Sequence, residues 1–119
     1  MKTFVFDIDN TLCRTHGSDY INSQPITERI EHVNNLYNSG HTIILMTARG
    51  MGRSNNNAGE AHRLFYAMTQ QQIEEWGILY HHLFLGKPAA DHYIDDKGIN
   101  DCDFFEIKGR KKGSAFGCL

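Results

Sequence analysis

The spacing of apolar residues changes along this chain, and each change marks an element. Phe4-Val5-Phe6 is a short apolar run that stops at Asp7. Such a run, rich in β-branched and aromatic residues, reads as a buried strand. Arg14–Gln24 is polar and contains glycine, so it reads as a loop. Pro25 suits the first turn of a helix, where its missing N–H does no harm. Ile26, Ile30, Val33 and Tyr37 then recur at helical spacing, and Gly40 ends the pattern as a C-cap. Thr42–Thr47 is a second buried strand. Ala48–Asn57 holds Gly and Asn turn formers without periodicity, which predicts a mobile loop. A second helix is predicted over Ala58–Trp76, with Ala61, Leu64, Phe65, Met68, Ile73 and Trp76 facing inward and Gly77 as its C-cap. Leu83-Phe84-Leu85 gives a third strand that ends at Gly86-Lys87-Pro88. His92-Tyr93-Ile94 gives a fourth that ends at Asp95-Asp96, and Phe104–Ile107 a short last one. Strand, helix, strand with short joints is a βαβ unit, whose strands run parallel. The expectation is an α/β fold with a central, mostly parallel sheet. It forms one domain over residues 1–108, followed by a loosely ordered tail over residues 109–119.

Bulk properties narrow the class. At 119 residues the chain is one domain long enough to bury a core without disulfides. A formal charge of −2 on a mixed surface points to neither nucleic acid nor a membrane surface. Cys13, Cys102 and Cys118 are odd in number and lack CxxC spacing, so neither a disulfide framework nor a zinc site is suggested. The first strand starts almost at once, leaving no room for a targeting segment, and no apolar stretch could span a bilayer. A reducing cytoplasm is the expected location.

The polar residues at the strand ends carry the chemistry. Asp7 with Asp9, Thr47, Lys87, and Asp95 with Asp96 each follow an apolar run. If the strands are parallel, all four ends share one edge of the sheet, where open α/β sheets bind ligands. A phosphate ester is an anion that would repel a carboxylate nucleophile. A hard divalent cation such as Mg²⁺ offsets the repulsion and takes oxygen ligands from both. Lysine adds a point charge, and threonine a directed hydrogen bond. One carboxylate can attack phosphorus, while a second moves the proton.

The stretch D-I-D-N-T-L, residues 7–12, matches the DxDxT signature of the haloacid dehalogenase-like (HAD) hydrolases. I-I-L-M-T-A-R, L-G-K-P and H-Y-I-D-D match the second, third and fourth signatures. The chain resembles a small phosphatase of that superfamily from Lys2 to about Asn100. The resemblance implies a three-layer sandwich around the sheet, a HAD-like Rossmannoid core. It implies a Mg²⁺-dependent phosphomonoester hydrolase working through an aspartyl-phosphate. Asp7 would be nucleophile and metal ligand. Asp9 would be general acid and base and reach the metal through its carbonyl. Thr47 and Lys87 would bind the phosphoryl group, with Asn10, Thr11, Ala48 and Arg49 completing the substrate-binding set. Asp96, supported by Asp95, would complete the metal ligands. Asn100 departs from the further Asp that many members carry. Larger relatives insert a cap domain where this chain has only a loop and a helix, so a capless core is expected. Its open site suits a bulky phosphate ester, such as a sugar phosphate, or a second subunit that covers it.

Three other readings use parts of the same pattern. A phosphotransferase would employ the same residues. A receiver-type signalling module has a similar fold, but needs its phosphoacceptor Asp at the end of the third strand, where Lys87 stands. A non-catalytic binding protein would not need all four signatures. Arg53 reads as a solvated surface charge, and the seven histidines show no ligand spacing. Nothing in the sequence activates Cys13.

Overall fold

In the computed structural model, which describes residues 1–105, Thr42–Thr47 (β4) is the middle strand of a three-stranded parallel sheet. Thr3–Phe6 (β1) pairs with it on one side, Val5 opposite Ile44 and Phe6 opposite Leu45. His82–Leu85 (β5) pairs on the other, Leu83 opposite Leu45 and Leu85 opposite Thr47. Thr27–Asn38 (α1) links β1 to β4, and Ala58–Glu75 (α2) links β4 to β5. Both links step the same way across the sheet. Right-handed crossovers therefore lay both helices over one face. On that face Phe6, Ile43, Leu45, Leu83 and Leu85 are buried, and Ile30, Val33, Ala61 and Ile73 from the helices are buried with them. Alternate residues point the other way, where Val5 is 60% exposed and Phe84 52%.

The described residues divide into two compact units, Met1–Ala89 and a second beginning at Ala90. The first holds the sheet, α1 and α2. The described part of the second holds the short helix Asp101–Phe105 (α3), begun by Asn100, whose side chain accepts the Cys102 amide. No helix among the described residues is long and apolar enough to cross a membrane.

Several local expectations are corrected. Pro25 does not open α1. It sits in Gln24–Pro25 (β3), which pairs with Cys13–Arg14 (β2) and so closes the polar loop into a small hairpin. The helix begins two residues later because the Ile26 amide bonds Leu12 O instead. The loop after β4 is a series of hydrogen-bonded turns with Met51 buried beneath it. Leu64 is exposed on α2, while polar Thr69 and Gln72 are buried. His92-Tyr93-Ile94 forms no strand, and Ile94 is 94% exposed. Phe104 and Phe105 are helical, and the rest of that expected strand, with the 109–119 tail, lies outside the described residues.

Two glycines separate backbone strain from crowding. Gly77 has φ +74° with open space where a Cβ would stand. Gly50 has φ +80°, and a Cβ there would lie 2.7 Å from the Phe65 ring and 3.1 Å from the Ala61 Cα. Gly77→Ala should cost about 1 kcal/mol, the left-handed strain alone. Gly50→Ala should cost about 3 kcal/mol, because the α2 backbone cannot retreat. Urea unfolding of the two variants measures the difference, and equal losses would contradict it.

Candidate active site

The ends of β1, β4 and β5 meet through the backbone. Thr47 closes β4, and its carbonyl accepts the amides of both Gly86 and Lys87. This bond turns the chain at the end of β5 and brings Lys87 across β4 towards β1. There Lys87 Nζ lies 3.6 Å from Asp7 Oδ2, with both side chains partly accessible. Asp7 follows directly on β1. Burial pushes its carboxyl above the usual range, and Asp9 adds to this; the Lys87 charge and the Ile8 amide pull it back only in part.

The turn after Asp7 is folded on one carbonyl. Ile8 O accepts the amides of Thr11, Leu12 and Cys13, while Ile8 and Leu12 are fully buried. Asn10 adopts φ +60°, and its side chain accepts the Thr15 amide. The Thr11 carbonyl takes a hydrogen bond from the buried Arg29. This turn hands Asp9 to the interior side of the site.

Asp9 meets a guanidinium there. Arg49 Nε lies 3.0 Å from Oδ2 and 3.2 Å from Oδ1, and its Nη2 lies 2.9 Å from Oδ1. Thr15 Oγ1 donates to Oδ1 at 2.6 Å, and Thr47 Oγ1 approaches Oδ2 at 3.5 Å. Arg49 is 1% exposed. Its Nη1 donates to Gln72 Oε1 at 2.7 Å and Thr69 Oγ1 at 3.2 Å, and its guanidinium carbon lies 4.9 Å from the centre of the Tyr20 ring. Gln72 in turn donates to the Tyr20 carbonyl.

The sequence-predicted residues therefore divide. Asp7, Asp9, Thr47 and Lys87 are brought together, and Asn10, Thr11 and Ala48 lie on the turns beside them. Thr47 is fully buried, and its hydroxyl accepts the Arg49 amide. Arg49 is turned inward onto Asp9, Thr69 and Gln72, so it does not present a charge at the surface as a substrate clamp would. Asp95 and Asp96 stand on the second unit. The Asp95 carboxylate accepts the Lys97 and Gly98 amides, which lowers its pKa, and Lys97 Nζ lies 3.8 Å from Asp96. Thr15, Tyr20, Thr69 and Gln72 escaped the sequence reading. The one signal for them is Thr69 and Gln72, three apart on the inner face of α2, where polar residues need partners. Cys13 is a buried free thiol whose pKa burial raises, which suits a structural role.

Asp7 and the Asp9 carbonyl are hard oxygen donors of the kind Mg²⁺ prefers, and Asp7 is an anion that burial leaves undercompensated. In donor type the residues fit. In number they are few, since no three His, Cys, Asp or Glu side chains gather as a ligand group among the described residues.

No family model matches the chain, and no curated protein does. Among solved structures it is similar to a target protein from Vibrio cholerae known from its crystal structure. The two are 28% identical with a TM-score of 0.81, and the alignment covers 90% of this chain and 89% of that one. The likeness therefore extends over nearly all of both chains, and the α/β arrangement recurs in a natural protein seen by crystallography.

Proposed function

We propose that this protein is a capless HAD-like phosphatase, a Mg²⁺-dependent phosphomonoester hydrolase of the cytoplasm. The observation that carries the reading is Lys87 Nζ 3.6 Å from Asp7 Oδ2, two residues eighty positions apart joined at the carboxyl edge of a parallel sheet. A nucleophile and a phosphate-binding cation need that adjacency, and an ordinary strand-end turn does not. The three-layer form of the fold belongs to the same proposal. Its support is the apolar sheet face that carries Val5 and Phe84, on the side away from the two helices. A sugar phosphate remains the proposed substrate class, by resemblance alone.

Asp7 Oδ attacks phosphorus, the bond from phosphorus to the leaving oxygen breaks, and the Asp9 carboxyl gives that oxygen its proton. Asp9 then takes a proton from water, whose oxygen attacks the aspartyl-phosphate and frees Asp7 and inorganic phosphate. Lys87 holds negative charge on the phosphoryl oxygens throughout. Mg²⁺, when bound to Asp7 and the Asp9 carbonyl, would supply charge that lets an anionic nucleophile approach an anionic substrate.

Asp7→Asn should abolish phosphate release from an aryl phosphate, and turnover retained by that variant would end the nucleophile assignment. The same variant tests the electrostatics. A carboxyl raised in the fold weakens the folded state as pH climbs through its titration. Its cost is absent below the ordinary carboxyl range and full above the folded value. In metal-free buffer Asp7→Asn should therefore melt at or above the wild-type temperature at pH 7, and the gap should close near pH 3.

A further inference from the structure

Arg49 does not touch the place where a substrate phosphate would lie, yet it is the most heavily bonded side chain near the site. Its three nitrogens meet four side chains. Nε and Nη2 hold Asp9, and Nη1 bonds Gln72 and Thr69 and reaches Met68 Sδ at 3.8 Å. The ring of Tyr20 covers one side. Gln72 and Thr69 belong to α2, so the guanidinium is fixed by a helix rather than by the turn that bears Asp9.

The two oxygens of Asp9 are unequally used. Oδ1 takes Thr15 Oγ1 at 2.6 Å, Nη2 at 2.9 Å and Nε at 3.2 Å. Oδ2 takes only Nε at 3.0 Å and a long approach from Thr47 Oγ1 at 3.5 Å. A carboxylate oxygen has two lone pairs, so Oδ1 is saturated and Oδ2 keeps acceptor capacity. We infer that Arg49 is a positioning residue. By gripping Asp9 through its fork it fixes the carboxylate plane and makes Oδ2 the oxygen that exchanges the proton with the leaving group.

This rests on the phosphatase reading and goes beyond it, because it makes α2 part of the acid–base apparatus. It also assigns Arg49 a different task from a substrate clamp. A clamp would act on binding of every ester alike. In the first half of the reaction, the part that kcat/KM reports, a positioning residue for the general acid matters only when the leaving oxygen needs a proton. Nitrophenolate leaves without help, whereas an alkoxide does not.

The test compares 4-nitrophenyl phosphate with a simple alkyl phosphate in Mg²⁺ buffer. Arg49→Lys keeps the charge and loses the fork. It should lower kcat/KM on the alkyl ester at least about tenfold more than on the nitrophenyl ester, within the range a general acid supplies. Asp9→Asn should show the same selectivity, and Arg49→Lys in that background should add no further selectivity, since the two act as one unit. Gln72→Met, which removes one anchor of the guanidinium, should give a smaller loss of the same kind. It decides the matter if Arg49→Lys does not fold. Equal kcat/KM losses on both esters would overturn the inference while leaving the phosphatase reading intact. Wild-type protein that releases phosphate from neither ester would remove that reading, and this one with it.

Discussion

A guanidinium taken out of water has to be answered by a carboxylate, and in this protein that requirement joins Asp9 to Arg49. The pair lies between the turn after β1 and the start of the loop after β4. Burying such a pair gives little net stability, because desolvation offsets most of the attraction. Removing one partner, by contrast, leaves a buried charge and typically costs about 3–5 kcal/mol. The consequence is specificity more than strength. Thr15, Thr69 and Gln72 supply the further hydrogen-bond partners of the pair, and those residues come from the hairpin loop and from α2. One polar cluster therefore ties loop, sheet and helix into a single solution.

The middle strand does the complementary work. β4 buries Ile43 and Leu45 completely, and burial of such side chains is worth roughly 1.5–3 kcal/mol each. The last residue of β4 is polar on both counts: the Thr47 hydroxyl accepts the Arg49 amide, and its carbonyl collects the Gly86 and Lys87 amides. Apolar burial holds the strand still, and its carboxyl end, the buried Thr47, then serves as a fixed post for the two charged systems, Asp7 with Lys87 and Asp9 with Arg49. The first system is partly open and electrostatically undercompensated; in the second a fully buried guanidinium fixes a carboxylate whose Oδ2 keeps acceptor capacity. A nucleophile and the group that must hold still beside it need those opposite environments.

The legible parts of the chain were those where one physical rule acts alone. Thr42–Thr47 is an unbroken apolar run between turn formers, and it is a strand with those bounds. Helix α2 is long and periodic, and it starts where Asn57 caps it by accepting the Glu60 amide. Where two rules competed, the reading failed. Pro25 fits a helix start as well as an edge strand, and the hydrogen bond from Ile26 to Leu12, a long-range partner, decided for the strand. Leu64 has the right spacing to be buried, yet polar Thr69 and Gln72 occupy the inner face because Arg49 lies beneath them. His92-Tyr93-Ile94 has strand composition without a ladder partner among the described residues.

By itself the sequence determined which residue types stand at the ends of the apolar runs, and from the order of strands and helices that β1, β4 and β5 would be parallel. Local rules suffice for both, since alternation and helical period are written in neighbouring residues. The tertiary structure decided which charges face each other. Asp7 meets Lys87 while Asp9 meets Arg49, and nothing in the spelling of D-I-D separates the two aspartates. The separation comes from the turn at Asn10 and from α2, which turn one carboxylate against a buried guanidinium and leave the other beside Lys87. Pairing across forty and eighty residues is set by packing, and packing is a property of the whole fold.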